Sequence, residues 1–176
     1  MKHKLLTVAM IIAGLTLPLE INAKGKPESS TVLLKDANGE KIGRVIGMEH
    51  VSKPYVLTDQ GYRTTIPIPL GRVGNITSVY YESIDCVGEV YIGHTRYVGT
   101  VFVPTYNVEL AYAAGAILYS PTDAQVVTVT INATLDENLN CVPVAFPVAD
   151  VYPAYTNDPN ITGIKNTFYP VRMLIE

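Results

Sequence analysis

The sequence predicts an all-β fold in which antiparallel hairpins form a sandwich or a barrel, tied by one disulfide. Runs rich in β-branched and aromatic residues recur at intervals of about 8–12 residues, and Gly, Pro and Asn separate them. After Cys141, prolines recur too often for long helices. Only two cysteines, Cys86 and Cys141, occur in the chain.

The N-terminal part of the chain has the three parts of a secretory signal peptide, which we assign to residues 1–23. A short basic start is followed by the uncharged residues 5–19, and the small residue Ala23 marks the expected cleavage site. The apolar run is shorter than the roughly 20 residues of a membrane-spanning helix. A membrane anchor or a buried core helix is the alternative. Residues 24–30 are expected to form a flexible leader, and residues 31–176 a single β domain.

The elements of this domain follow from local patterns. Asn38-Gly39 tolerates the positive φ of a hairpin turn, and Pro67 and Pro69 favour the end of an edge strand. Residues 110–118 are ambiguous, because their alanines suit a short helix or a tightly packed strand. In chain order the predicted strands are 31–35, 41–46, 55–58, 62–68, 76–82, 89–92, 97–103 and 126–131, and the predicted turns of the first three hairpins are 36–39, 59–61 and 85–88.

Composition argues against several classes of function. The formal net charge is −3, so no basic excess is available to neutralise a nucleic-acid backbone. No later apolar run is long enough to span a membrane, and we expect no membrane contact after signal removal. His50 and His94 are the only histidines beyond the signal peptide, and neither has carboxylates at ligand spacing. We therefore predict no metal and no cofactor.

Cys86 and Cys141 are predicted to form a disulfide. An exported protein folds in an oxidising compartment, where an even pair of cysteines indicates a bridge. Two buried free thiols are the alternative. Because this compartment follows from the signal peptide, the localisation is predicted to be secreted or periplasmic.

The hairpin around Cys86 holds the candidate binding residues Tyr80, Tyr81, Glu82 and Asp85. Tyrosine offers an apolar ring and a hydroxyl, which suit contacts with a sugar or a protein. Adjacent residues of a strand face opposite sides, so one tyrosine is expected in the core and the other at the surface. Ordinary sheet packing explains the same pattern.

No motif of a catalytic site is present, and we predict no catalytic residue. The expected function is a non-catalytic binding or structural module of the cell envelope or extracellular space, with an unknown protein or glycan as its partner. A small secreted polysaccharide hydrolase is the alternative, because Glu82 and Asp85 are paired carboxylates of the kind that cleave glycosides. A third hypothesis is an inhibitor that presents the tip at Val87-Gly88 to a partner protein.

Residues 32–43 and 79–92 resemble a domain of uncharacterised secreted bacterial proteins. The shared features are an aspartate-x-asparagine-glycine hairpin and a Tyr-Glu-Ser-x-Asp-Cys-x-Gly segment, which here begins at Tyr81. In that family the domain sometimes follows collagen-like repeats. The resemblance implies a terminal module of surface or fibre proteins, and it implies no activity.

Overall fold

The computed structural model describes residues 30–93, 98–165 and 171–175, without the side chains of residues 145–148. The predicted signal peptide, with its cleavage site at Ala23, lies outside these residues, as does all of the predicted leader except Ser30. His94 and the first residue of the predicted strand 97–103 also lie outside them.

Strands are far more abundant than helices in the described chain, which confirms the predicted all-β class. The strands are β1 (Val32–Lys35), β2 (Lys41–His50), β3 (Lys53–Leu57), β4 (Arg63–Thr65), β5 (Val79–Tyr81), β6 (Val90–Gly93), β7 (Thr100–Phe102), β8 (Leu118–Ser120), β9 (Val127–Leu135), β10 (Cys141–Thr156) and β11 (Arg172–Ile175). The helices are α1 (Val108–Ala113) and α2 (Pro159–Thr162).

The strands join in the order β11-β1-β2-β3-β4-β7-β8-β10-β6-β5-β9. Among the described strands the pairs are antiparallel except for β4 and β7, which pair in parallel through Arg63 and Thr100. Strand β9 pairs with β5 and also with β10, so that β9, β10, β6 and β5 close into a ring. The predicted antiparallel architecture is therefore present, with a barrel-like closure at one end.

The ring depends on the bending of β10. This strand pairs first with β9, and from Val151 onward with β6 and then β8. Its register with β9 shifts between Pro143 and Phe146 and again between Phe146 and Ala149. Irregularities of this kind bend a strand and increase its twist, so that one strand can pair with neighbours in two parts of the sheet.

Three predicted strands are shorter than expected, and one of them, 97–103, is regular only in β7 because Val98 and Gly99 form a turn. Strand β4 ends at Thr65, although the N–H groups of Ile66 and Ile68 still donate to carbonyl oxygens of the 52–54 segment. Pro67 lies between them and has no N–H, so the regular ladder stops. The predicted strand 76–82 is regular only in β5, while Ile76 forms an isolated parallel bridge with Val103.

In the ambiguous segment 110–118 the helical alternative is present, since α1 extends to Ala113 and only Leu118 belongs to a strand. Helix α1 begins after Asn107, whose side chain accepts a hydrogen bond from the Leu110 N–H at 3.1 Å. Gly115, with φ +66°, follows the helix, and β8 then begins at Leu118. The small side chain of Ala111 is fully buried, which lets the helix pack closely on the core.

The meander β1–β4 has one face on the core and one outer face. Leu34, Ile42 and Val56 point into a core that α1, β7 and β8 cover. Because side chains alternate along a strand, Tyr55 and Leu57 lie on the opposite, outer face of β3. A second core, around Val79, Ile92 and Phe102, fills the part of the molecule next to the ring.

Candidate functional site

Tyr80 and Tyr81, the candidate tyrosines, are packing residues in the structure. They face opposite sides of β5, as the alternation predicted. Tyr81 is buried with Val79 and Ile92, and burial raises the pKa of its hydroxyl. Tyr80 is half-buried and packs beside Tyr91, its partner across the sheet. Neither ring is displayed as an open binding surface.

The candidate carboxylates Glu82 and Asp85 take hydrogen bonds from different donors. Tyr91 Oη donates toward Glu82 Oε2 at 3.1 Å, whereas the Ser83 hydroxyl donates to Asp85. The Ser83 bond, together with backbone N–H groups, lowers the pKa of the fully exposed Asp85 below its ordinary value. A general acid needs the opposite shift, so this environment suits a turn residue.

A different carboxylate pair meets at Tyr91. The Tyr91 hydroxyl lies 2.6 Å from Glu89 Oε2 and 3.1 Å from Glu82 Oε2, and the ring itself is buried. The bond to Glu89, followed by burial and the bond to Glu82, raises the pKa of Tyr91. Since both oxygens contact one hydroxyl, they are at most about 6 Å apart, a range that includes the separation of about 5–5.5 Å in retaining glycosidases.

The predicted disulfide between Cys86 and Cys141 is present, with Cα atoms 5.7 Å apart. It ties the loop after β5 to the start of β10. The Ser83 hydroxyl also accepts a hydrogen bond from the Val87 N–H at 3.0 Å, which closes the loop. The tip is apolar and exposed, since Ile84 and Val87 keep 71% and 68% of their surface accessible.

A separate cleft of about 450 Å³ lies on the outer face of the meander. Two exposed tyrosines, Tyr55 and Tyr106, stand at this cleft. The side chains and backbone that line it come from the β2–β3 hairpin, β4, β7, the 74–76 segment and the loop before α1: Glu49, Lys53, Tyr55, Arg63, Thr64, Thr65, Gly74, Asn75, Ile76, Thr100 and Tyr106.

Backbone hydrogen bonds hold the cleft walls in place. The Gly74 N–H donates to the Thr65 carbonyl at 2.7 Å, and the Asn75 carbonyl accepts from the Val103 N–H at 2.8 Å. A side chain at Gly74 would come within 2.5 Å of the Pro67 ring, so only glycine allows this close approach.

Tyr106 is positioned by the turn that leads into α1. The Tyr106 carbonyl accepts from the Val108 N–H at 3.0 Å. The neighbouring Thr105 hydroxyl donates to the Glu137 carbonyl at 2.6 Å and accepts from the Asn107 N–H at 3.1 Å. A fixed backbone thus presents a ring that is 78% exposed, a combination that suits a preformed contact surface.

The cleft carries both charged and neutral polar groups. Lys53 Nζ forms an ion pair with Glu49 at 2.9 Å, and Arg63 Nη2 donates to the Val98 carbonyl at 3.1 Å. Thr65 Oγ1 is buried and has no hydrogen-bond partner among the residues that the structure describes. Buried hydroxyls normally have partners, so this unpaired hydroxyl is an exception within the cleft wall.

No family model, no curated protein and no solved structure matches the chain. Within the described residues no helix is long and apolar enough to cross a membrane. The same residues contain no group of three or more histidine, cysteine or acidic side chains arranged to hold a metal ion.

Sequence patterns do not indicate this cleft, and the residues that they single out lie on the Cys86 hairpin. Tyr55 belongs to a predicted strand. Its exposure, however, depends on which part of the sheet the other strands leave uncovered. Tyr106 follows a predicted strand and precedes the ambiguous 110–118 segment. The available signal was an aromatic residue between Thr105 and Asn107, two residues that favour turns and helix caps.

Proposed function

We propose that this protein is an exported, non-catalytic module that binds a glycan in the Tyr55–Tyr106 cleft. The observation that carries the proposal is the pair of exposed tyrosine rings beside a preformed polar cleft. Sugars combine apolar ring faces with many hydroxyls, and tyrosine rings next to fixed donors and acceptors match both features. Lys53, Glu49 and Arg63 supply such polar groups.

Binding to an array of neutral and acidic polysaccharides tests this function. Replacement of Tyr106 by alanine should weaken binding about tenfold, the loss expected for one aromatic contact. Tyr155→Ala is the matched control, because Tyr155 is also exposed, at 51%, but does not line the cleft. Equal binding by the Tyr106 variant and the wild type, or equal losses in the two variants, would contradict the proposed site.

The proposed location is the periplasm or the extracellular space. The disulfide supports this location because such bonds persist in oxidising compartments. Expression of the full chain in bacteria, followed by fractionation and N-terminal sequencing, tests it. We expect a mature protein that begins at Lys24, and a cytoplasmic product that retains residues 1–23 would contradict export.

A polysaccharide hydrolase remains the second candidate, and the convergence of Glu82 and Glu89 on Tyr91 is the observation that favours it. Their separation is compatible with a retaining mechanism, but the cleft described above does not include them. The test is whether the protein releases reducing sugars from the polysaccharides that it binds. Release by the wild type that is lost in both Glu82→Gln and Glu89→Gln would support catalysis. Binding without any release supports the non-catalytic module.

A further inference from the structure

A row of side chains extends from the cleft across the outer face of the sheet. Leu57 of β3 pairs with Arg44 of β2 on one side and with Arg63 of β4 on the other. Paired residues point to the same face, and the adjacent Val56 points into the core. Arg44, Leu57 and Arg63 therefore form one outward-facing row, in which strand spacing separates the two arginine Cα atoms by about 10 Å.

Both arginines are exposed and have donors available. The Arg63 side chain has one described hydrogen bond, to the Val98 carbonyl, and the Arg44 side chain has no hydrogen bond or ion pair within the described part of the chain. A guanidinium group has five N–H donors and binds carboxylate, sulfate or phosphate groups with two parallel hydrogen bonds. Arg63 thus provides an anion-binding group in the cleft, and Arg44 provides a second one beside it.

Much of the remainder of the molecule is acidic. Residues 73–164, which include the whole ring, contain nine aspartates and glutamates and one basic residue, Arg96. A polyanion is repelled by that part and attracted to the outer face of the meander. The charge distribution therefore favours a single orientation of the protein on an anionic chain.

We propose that the glycan bound in the cleft is acidic, a chain of sugars that bear carboxylate, sulfate or phosphate groups. Tyr55 and Tyr106 contact sugar rings, Arg63 binds one anionic group in the cleft, and Arg44 binds a second further along the same chain. This inference rests on the proposed glycan-binding function, to which it adds the class of ligand and a longer binding surface.

Calorimetric titration with dextran, carboxymethyl-dextran and dextran sulfate tests the inference, because these polymers share one backbone and differ in charge. We expect the charged dextrans to bind at least tenfold more tightly than dextran. Arg44→Gln and Arg63→Gln should each weaken binding of the charged polymers about tenfold and reduce its dependence on salt. Lys165→Gln is the matched control, since Lys165 pairs with Glu40 and neither residue belongs to the row or lines the cleft; it should bind as the wild type does.

Three results would overturn the inference in distinguishable ways. Equal affinity for dextran and its charged derivatives would overturn the acidic ligand but leave the glycan-binding function in place. Polyglutamate, a polyanion without sugar rings, should bind weakly; binding as tight as that of carboxymethyl-dextran would mean general charge attraction. Unchanged affinity in both arginine variants, with folding checked by circular dichroism, would show that the proposed row is not part of the binding site.

Discussion

Leu139 occupies the same position in its hairpin loop as Gly39 does in the first hairpin. In both loops an aspartate, Asp36 or Asp136, receives hydrogen bonds on its side chain from the second and fourth residues that follow, at 2.8–2.9 Å. The backbone bonds also match, and φ is +81° at Gly39 and +62° at Leu139. A leucine therefore adopts the left-handed conformation that glycine adopts without strain.

At position 139 glycine should give a more stable protein than alanine does. Left-handed backbone costs a residue with a side chain about 1–2 kcal/mol, of which the flexibility of glycine in the unfolded chain offsets about half. We expect the free energy of unfolding of Leu139→Gly in urea to be about 0.5–1 kcal/mol higher than that of Leu139→Ala, which loses the same side chain but keeps the strain. Equal stability of these two variants would show that the loop is not strained.

Gly39→Ala is the reverse experiment. A Cβ built at Gly39 meets no atom within 4 Å, so the substitution adds backbone strain without a steric clash. We expect a loss of about 1 kcal/mol in the free energy of unfolding, measured by urea titration. A variant as stable as the wild type would indicate that the loop changes its conformation at little cost.

The contrast between these loops shows what the sequence could predict. Asn38-Gly39 and the turn at 59–61 were identified correctly because glycine marks the left-handed position. The loop at 136–140 has the same geometry, but leucine at that position gives no such signal. Local residue preferences thus located the hairpins in which glycine takes the left-handed position, and missed the one in which leucine takes it.

The cleft depends on contacts that sequence periodicity does not encode. Tyr55 and Tyr106 are far apart in the chain and meet at one cleft because β4 pairs in parallel with β7. The candidate pair Glu82 and Asp85 was chosen for closeness in sequence, whereas Glu82 and Glu89 meet across the hairpin at Tyr91. The disulfide between Cys86 and Cys141 was predictable, because two cysteines allow only one pairing.

Loss of the disulfide should destabilise the domain substantially. The bridge closes a loop with a sequence separation of 55 residues, and a typical contribution for such a loop is about 3–4 kcal/mol. We expect the double variant Cys86→Ser/Cys141→Ser to unfold at correspondingly lower urea concentration. Treatment with dithiothreitol should lower the free energy of unfolding of the wild type to a similar value. It should leave the free energy of unfolding of the double variant unchanged. A loss below 1 kcal/mol would show that the ring holds together without the bridge.

Tyr112 should make the protein sensitive to alkali. Its hydroxyl accepts a hydrogen bond from the Val73 N–H, and burial raises its pKa to about 12. The unfolded chain loses this proton near pH 10 whereas the folded protein retains it, so stability is complete below pH 10 and falls as the pH rises toward 12.

Tyr112→Phe separates this titration from the lost hydrogen bond. Melting temperatures at pH 8 and pH 11 are the measurement. At pH 8 the variant should melt below the wild type, because the Val73 N–H loses its partner. Between pH 8 and pH 11 the melting temperature of the variant should fall less than that of the wild type. Equal falls would mean that the other buried tyrosines account for the whole alkaline response.

Glu82→Gln and Glu89→Gln form a matched pair that tests the carboxylates around Tyr91. The Tyr91 hydroxyl has one proton and donates it to one carboxylate at a time, and the 2.6 Å distance to Glu89 marks the stronger bond. Either substitution relieves the repulsion between the two glutamates, but only Glu89→Gln weakens the short bond. We therefore expect Glu82→Gln to be more stable than Glu89→Gln by about 0.5–1 kcal/mol in urea unfolding. A Glu82 variant that is as unstable as the Glu89 variant would show that the two carboxylates share the hydroxyl equally.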